Sequence, residues 1–303
     1  MRIFVTGATG FIGSVVVQEL LKAGHQVLGL SRSDAGAKSL AAAGAEVHRG
    51  SLDDLDSLRS GAAASDGVIH LAFKHDAFGG DFSKFVANCE TDRQAIEAIG
   101  SVLAGSDRPF IITSGTGLAN TLPDQPASED NPIINSSVIP RAASEEAAAS
   151  LAARGVNVSV VRLPQVHDPV KQGLVTYAIM VAREKGVSPY VGDGLNRWPA
   201  AHVQDTAHLY RLVLEKNDPG AKYHAVAEEG VRLRDIAEVI GKGLKVPVVS
   251  MSQEEAPTHF GWLAMFVARD SPASSVQTQK RLGWQPTGPG LIADLEQMNY
   301  FAS

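Results

Sequence analysis

The sequence predicts an α/β fold: a doubly wound parallel sheet with helices on both faces, followed by a smaller C-terminal cap. Three observations carry that expectation. Short apolar runs alternate with helix-periodic stretches through the first half of the chain, as βαβ crossovers require. The apolar runs are near-continuous rather than alternating, which suits strands covered on both faces. The rhythm then breaks near residue 165.

Residues 2–6 read as a buried strand, and residues 7–13 as a glycine-punctuated turn. Ile12, Val16 and Leu20, with Gly13, Val17 and Leu21, recur on one helical face until Gly24 stops the helix. Further strands are expected at 26–30, 45–48, 67–72 and 109–114, with helices over 35–43, 53–61 and 84–104. After the Ala-rich helix 142–153, Val158, Val160 and Val161 mark a sixth strand over 157–162. The stretch 117–141 holds Pro123, Pro126, Pro132 and Pro140 and reads as a long loop of the functional kind. Beyond it come helices at 176–186, 204–216 and 232–243, a short strand at 223–227 and a mixed tail over 251–303. The expected division is a nucleotide-binding domain over 1–165, joined again by parts of 200–227, and a cap over 166–303.

Composition narrows the function. A net charge of −6 over 303 residues excludes a dedicated nucleic-acid binder, which would carry a basic stripe. One cysteine cannot close an internal disulfide, so a stapled secreted scaffold is excluded. No apolar run approaches the roughly 20 residues of a membrane helix, and Met1-Arg2 leads straight into a strand rather than a signal core. The expected location is therefore cytoplasmic, with neither membrane nor nucleic acid as partner. The nine histidines and one cysteine show no compact ligand spacing, so no metal is expected.

Thr6-Gly7-Ala8-Thr9-Gly10-Phe11-Ile12-Gly13 is the strongest local signal, because it follows a predicted strand and opens a periodic helix. Gly7 permits the tight turn, Gly10 lets a pyrophosphate approach the backbone, and Gly13 allows close helix–sheet packing. The helix N-terminus adds free N–H groups and partial positive charge. A dinucleotide is thus expected on Gly7, Thr9, Gly10, Phe11, Ile12 and Gly13. An NAD site usually places Asp or Glu at the end of the second strand; here Ser31 and Arg32 stand there. Arg32 suits a 2′-phosphate and Ser31 does not repel one, so NADP(H) is expected over NAD.

With these residues in place, the chain resembles the extended short-chain dehydrogenase/reductases, Rossmann-type relatives of sugar-nucleotide epimerases and dihydroflavonol reductases. The likeness runs nearly end to end. Gly50-Ser51-Leu52-Asp53 resembles the family's adenine-contacting turn, and Val68-Ile69-His70-Leu71-Ala72 its fourth strand. Glu129-Asp130-Asn131-Pro132 is similar to its acidic-proline loop, and Arg162-Leu163-Pro164-Gln165-Val166-His167 to the segment flanking the nicotinamide. Gly192-Asp193-Gly194, Arg197 and His202-Val203-Gln204-Asp205 resemble a substrate-half motif, and Leu282-Gly283-Trp284-Gln285-Pro286 a C-terminal signature. The resemblance implies that Ser51, Leu52, Leu71, Ala72, Phe73, Pro164 and Val166 join the cofactor set, and that a homodimer forms through 84–104 and 142–153.

The family's catalytic Ser/Thr and Tyr-x-x-x-Lys are where this chain departs. The fifth strand ends Thr113-Ser114-Gly115-Thr116, with Gly115 at the usual serine position. No tyrosine occurs between Met1 and Val175. Arg141-Ala142-Ala143-Ser144-Glu145 matches the Lys-x-x-x-Glu spacing, placing Arg141 at the lysine position and Ser137 at the tyrosine position. Arginine stays protonated and cannot titrate near neutrality. The expected site therefore uses Ser114, Thr116 and Ser137 on the substrate oxygen, Arg141 on the ribose, and a histidine, His75 or His167, or a bound water for the proton. His167, Arg197 and Trp198 are expected beside a small-molecule substrate. The first expectation is an NADP(H)-dependent oxidoreductase of the atypical branch, acting on a carbonyl or alcohol. A non-enzymatic NADP(H) sensor and a sugar-nucleotide epimerase or dehydratase stay open.

Overall fold

The structure, a computed structural model, describes residues 1–78, 82–122 and 125–300; of the loop prolines, Pro123 lies outside them. The first half alternates as the apolar runs require: β1 (Arg2–Thr6), α1 (Phe11–Lys22), β2 (Gln26–Ser31), α2 (Asp34–Ala42), β3 (Glu46–Arg49), α3 (Leu55–Ala63), β4 (Gly67–His70), α4 (Phe85–Leu103), β5 (Phe110–Gly115), α5 (Ala143–Ala153) and β6 (Val158–Leu163). The second half follows as β7 (Gln165–His167), α6 (Leu174–Lys185), β8 (Ser188–Val191), β9 (Arg197–His202), α7 (Val203–Lys216), β10 (Lys222–His224), β11 (Glu228–Arg232), α8 (Leu233–Leu244) and β12 (Val248–Met251). Four short helices close it: α9 (Ala256–Phe260), α10 (Ala264–Val267), α11 (Val276–Leu282) and α12 (Leu291–Gln297).

Seven parallel strands form the main sheet in the order β10-β6-β5-β4-β1-β2-β3, a doubly wound Rossmann-type sheet. The chain runs outward from β1 to β3 and then crosses to β4, so the direction of winding reverses between β1 and β4. Ligands in such sheets bind beyond the strand C-termini at that reversal. The register sets Thr6 directly opposite His70 there.

Side chains alternate between two cores. Val5, Ile69, Ile111 and Val161 face α1 and α7 with Val16, Leu20 and Tyr210. Phe4, Val68, Phe110 and Ile112 face the other way, against Leu58, Ile96, Ile99 and Leu151. A third core in the cap gathers Val175, Trp198, Ile236, Ile240, Phe260 and Leu263.

Three departures from the expected elements have physical causes. The strand expected at 223–227 ends at His224 and closes the sheet edge beside β6. Residues 276–284, placed in the tail by the sequence, return to the main lobe: Trp284 is fully buried in its core and donates its indole N–H to the Asp205 carbonyl at 3.0 Å. Finally, β7, β8, β9, β11 and β12 are strands beyond the expected set. β9 reads Arg-Trp-Pro-Ala-Ala-His, and Pro199 can donate no ladder bond. The irregular register of β11 between Glu228 and Val231 falls opposite that proline, and the bulge absorbs its missing N–H.

Among the described residues no helix is long and apolar enough to cross a membrane, and no group of three or more His, Cys, Asp or Glu side chains is placed to hold a metal ion.

Candidate functional site

The cradle begins where β1 ends. Gly7 has φ of +68°, and a Cβ on it would lie 2.7 Å from the Ala72 amide nitrogen. A Cβ on Gly13 would lie 2.0 Å from the Gly7 carbonyl oxygen. Three backbones thus meet without intervening side chains. Gly10 N–H donates to the Gly7 carbonyl at 2.9 Å. α1 then starts with no side-chain cap and no acidic residue in its first turn, leaving its N-terminal charge for a ligand. Thr9 and Gly10 are exposed there, Phe11 and Ile12 half-buried. A dinucleotide fits this cradle.

At the end of β2, Ser31 is buried and its hydroxyl donates to the Ser33 carbonyl at 3.0 Å, so it closes a turn rather than facing outward. Arg32 is exposed and has no hydrogen-bond or ion-pair partner among the described residues. Arg49 donates to the Ser33 carbonyl at 2.7 Å and pairs with Asp34. Ser33 caps α2 by accepting from Gly36 N–H at 3.1 Å. Ser51 and Leu52 form the adjoining turn, tied to the loop after β4 by the Lys74–Asp53 ion pair at 2.6 Å. That loop carries Leu71, Ala72 and Phe73.

A buried polar chain links the cradle to Arg141. Asp92, on α4, is acceptor to both sides: His70 Nε2 lies 3.0 Å from Oδ1, while Arg141 at 2.9 Å and the Ser144 hydroxyl reach Oδ2. A carboxylate only accepts, so His70 carries its proton on Nε2. When the ring is neutral, Nδ1 accepts from the Thr6 hydroxyl at 2.8 Å, and Thr6 Oγ1 in turn accepts from Ala72 N–H at 3.2 Å. Burial would raise the Asp92 pKa, but Arg141, then His70 and Ser144, outweigh it and hold it down to about 2. Arg141 is fixed further by the Thr113 carbonyl at 2.9 Å and stacks 4.5 Å over the Phe73 ring. Thr113 donates to the His70 carbonyl at 2.8 Å and so takes the proton of Tyr210, 2.7 Å away. Tyr210 is fully buried, with its pKa pushed far up by that burial. His70, Asp92, Thr113, Ser144 and Tyr210 were not singled out as site residues from sequence. Only the position of His70 at the end of a predicted strand could have signalled any of them.

The remaining expected residues disperse. Ser114 is buried on β5, and its hydroxyl has no partner among the described residues. Thr116 is buried and donates at 3.4 Å to the Leu163 carbonyl. Ser137 stands exposed on a turn whose backbone is held by Asn135. His75 keeps part of its surface in solvent while its ring packs against Phe73 and Phe78; desolvation of that ring, then Arg141 and Lys171, lower its pKa. Pro164 joins β6 to β7, and Val166 is buried.

Of the three expected substrate contacts, Trp198 is turned away into the cap core, and His167 and Arg197 each carry an internal ion pair. His167 is fully buried, with Nδ1 2.6 Å from Asp294; desolvation lowers its pKa against the pull of that carboxylate. Arg197 is held by both oxygens of Asp270. Trp198 belongs to the cap core and donates to the Phe266 carbonyl at 3.1 Å, because β9 turns its ring inward.

Beneath the cleft, Arg162 is fully buried and forms a bidentate pair with Glu145 at 2.9 Å for both contacts. His224 lies 3.3 Å from the same guanidinium, and burial followed by Arg162 lowers its pKa to about 4. Between that value and its ordinary 6.5 the unfolded chain takes up a proton that the folded protein refuses. Stability therefore falls as pH drops from 6.5 to 4, by a contribution of order 3 kcal/mol. Urea denaturation across that range should show this slope in the native protein and a shallower one in His224→Gln. Equal slopes would contradict the assignment.

A doubly wound sheet with an open glycine cradle at its reversal point defines a dinucleotide-binding protein of the extended short-chain dehydrogenase/reductase class. Residues 3–227 match the NAD dependent epimerase/dehydratase family, and the chain belongs to it. It is 48% identical over 302 residues to uncharacterized protein C2A9.02 of Schizosaccharomyces pombe, covering 99% of this chain and 100% of that one. It is 30% identical over 230 residues to the 2-alkyl-3-oxoalkanoate reductase of Stenotrophomonas maltophilia, covering 73% of this chain and 67% of the reductase. The structure of DesIV, a dTDP-glucose 4,6-dehydratase of Streptomyces venezuelae with NAD and TYD bound, superposes with a TM-score of 0.78 at 19% identity. That match covers 98% of this chain and 96% of DesIV and speaks for the fold alone.

Proposed function

We propose that this chain is an NADP(H)-dependent oxidoreductase that interconverts a carbonyl compound and its alcohol. The observation that carries the reading is the Ser114 hydroxyl, buried without a partner at the C-terminal end of β5. A buried polar atom calls for a hydrogen-bond partner, and a substrate oxygen would give it one. A bound nicotinamide would supply or take the hydride. Arg141 would hold its ribose with a charge that never titrates, Ser114 would orient the carbonyl oxygen, and His75 would carry the proton from solvent. The reductase relative supports this direction.

The preference for the 2′-phosphate rests on Arg32, exposed and unpartnered among the described residues just past the end of β2. Arg32→Ala is expected to weaken NADPH binding by roughly ten- to a hundredfold, the scale of a charge-assisted contact of 1.5–3 kcal/mol. NADH binding should not change. Nicotinamide fluorescence titration checks both, and an unchanged NADPH affinity would overturn the assignment. Turnover of a carbonyl panel by the NADPH-loaded protein tests the reaction itself: tight binding with no turnover would favour the sensor reading.

A further inference from the structure

Seven aromatic side chains meet beside Arg141, and they come from both lobes. Phe73 stacks under the Arg141 guanidinium and lies 6.5 Å from Phe78. Phe78 in turn touches Tyr177 of α6 at 6.3 Å and Trp262 of the cap at 5.2 Å. Phe82 lies parallel to Trp262 at 5.6 Å and an interplanar angle of 5°; Phe85 and Phe266 flank the two ends. All seven are half-buried. Three of the cap-side arginines are already engaged within the protein. Arg197 is bound by Asp270, Arg183 donates to the Tyr300 carbonyl, and Arg269 donates to the Asn120 carbonyl. Along β9, Trp198, Ala200 and Ala201 are buried.

From this juxtaposition we propose that the substrate is an apolar carbonyl compound bearing an aromatic ring, seated against Phe78, Tyr177 and Trp262 with its oxygen toward Ser114. The proposal rests on the oxidoreductase reading for its reaction, but not for its binding site. An aromatic guest inserted among rings gains offset or edge contacts in addition to burial. A nucleoside diphosphate sugar brings two phosphate charges and several hydroxyls, which gain nothing from ring faces.

The test compares acetophenone, cyclohexyl methyl ketone and UDP-glucose with the NADPH-loaded protein. Acetophenone and the cyclohexyl ketone match in size and differ in aromaticity. Wild type should prefer acetophenone roughly tenfold in kcat/KM, and Phe78→Leu should erase the preference while leaving NADPH affinity unchanged. Trp262→Phe, which keeps a ring, should retain it. Binding is read separately by tryptophan quenching. Trp198 and Trp284 are buried, so Trp262 reports. Acetophenone should quench wild type at concentrations at least tenfold below those needed for Phe78→Leu. Phe78-dependent quenching without turnover of any ketone would uphold the binding site and overturn the oxidoreductase reading. A ring preference unmoved by Phe78→Leu, or quenching by UDP-glucose that acetophenone does not match, would overturn the proposal and leave the rings as packing between lobes.

Discussion

Replacing Asp92 by alanine is expected to destabilise the protein by about 3–5 kcal/mol, the cost of breaking a buried ion pair from one side. The carboxylate accepts from His70, Arg141 and Ser144 at once, so its loss strands three donors. His70 and Ser144 have no access to water that could replace it. Asp92→Asn should cost less, because the amide keeps the shape and one acceptor, yet it presents an N–H₂ where a donor already stands. The sign with pH follows from the lowered pKa. A carboxyl held at about 2 in the folded state and near 3.9 in the unfolded chain stabilises fully above the higher value. The contribution fades as pH falls through the lower one. Urea denaturation at pH 7 and at acid pH checks this: the gap between wild type and Asp92→Asn should narrow as acid protonates the native carboxyl. A gap independent of pH would mean that the charge on Asp92 does not hold the chain together. A double-mutant cycle of Asp92→Ala with Arg141→Met should show coupling, since the two share one contact.

Gly13→Ala should abolish dinucleotide binding and destabilise the fold by about 1–3 kcal/mol or more, the range of overpacking. The added Cβ would stand 2.0 Å from the Gly7 carbonyl oxygen, and neither backbone can swing away as a flexible side chain could. Gly10→Ala supplies the contrast. There the nearest atom is 3.1 Å away, a few tenths of an ångström of adjustment, so stability should hold while the methyl blocks the pyrophosphate from the backbone. Fluorescence titration with NADPH beside thermal melts separates the two effects. Equal stability loss at both positions would contradict the backbone-contact account of Gly13, and unimpaired NADPH binding by Gly10→Ala would place the phosphates elsewhere.

The legibility of the site was uneven for a physical reason. The cradle is local: strand, turn and helix lie within residues 2–22, so glycine spacing and periodicity reveal it directly. Arg141 was legible through its spacing to Glu145, and the structure gives that glutamate the task of neutralising Arg162. Asp92 sits in the middle of a helix, 22 residues from His70 and 49 from Arg141, where an isolated acidic residue reads as a solvated face. Trp198 went the other way. Next to Arg197 it looked like a substrate contact, and β9 turns it into the cap core.

The order of residues alone determined the alternation of strands and helices and the dinucleotide cradle, because each follows from contacts close in the chain. The tertiary structure alone decided what surrounds Arg141. The Thr6–His70–Asp92 chain depends on parallel pairing of β1 with β4 and on α4 packing beneath them. The aromatic wall needs the loop after β4 to meet the cap across nearly two hundred residues of sequence. Contacts of that separation leave no period in the sequence, since nothing in the local chain has to change to prepare for them.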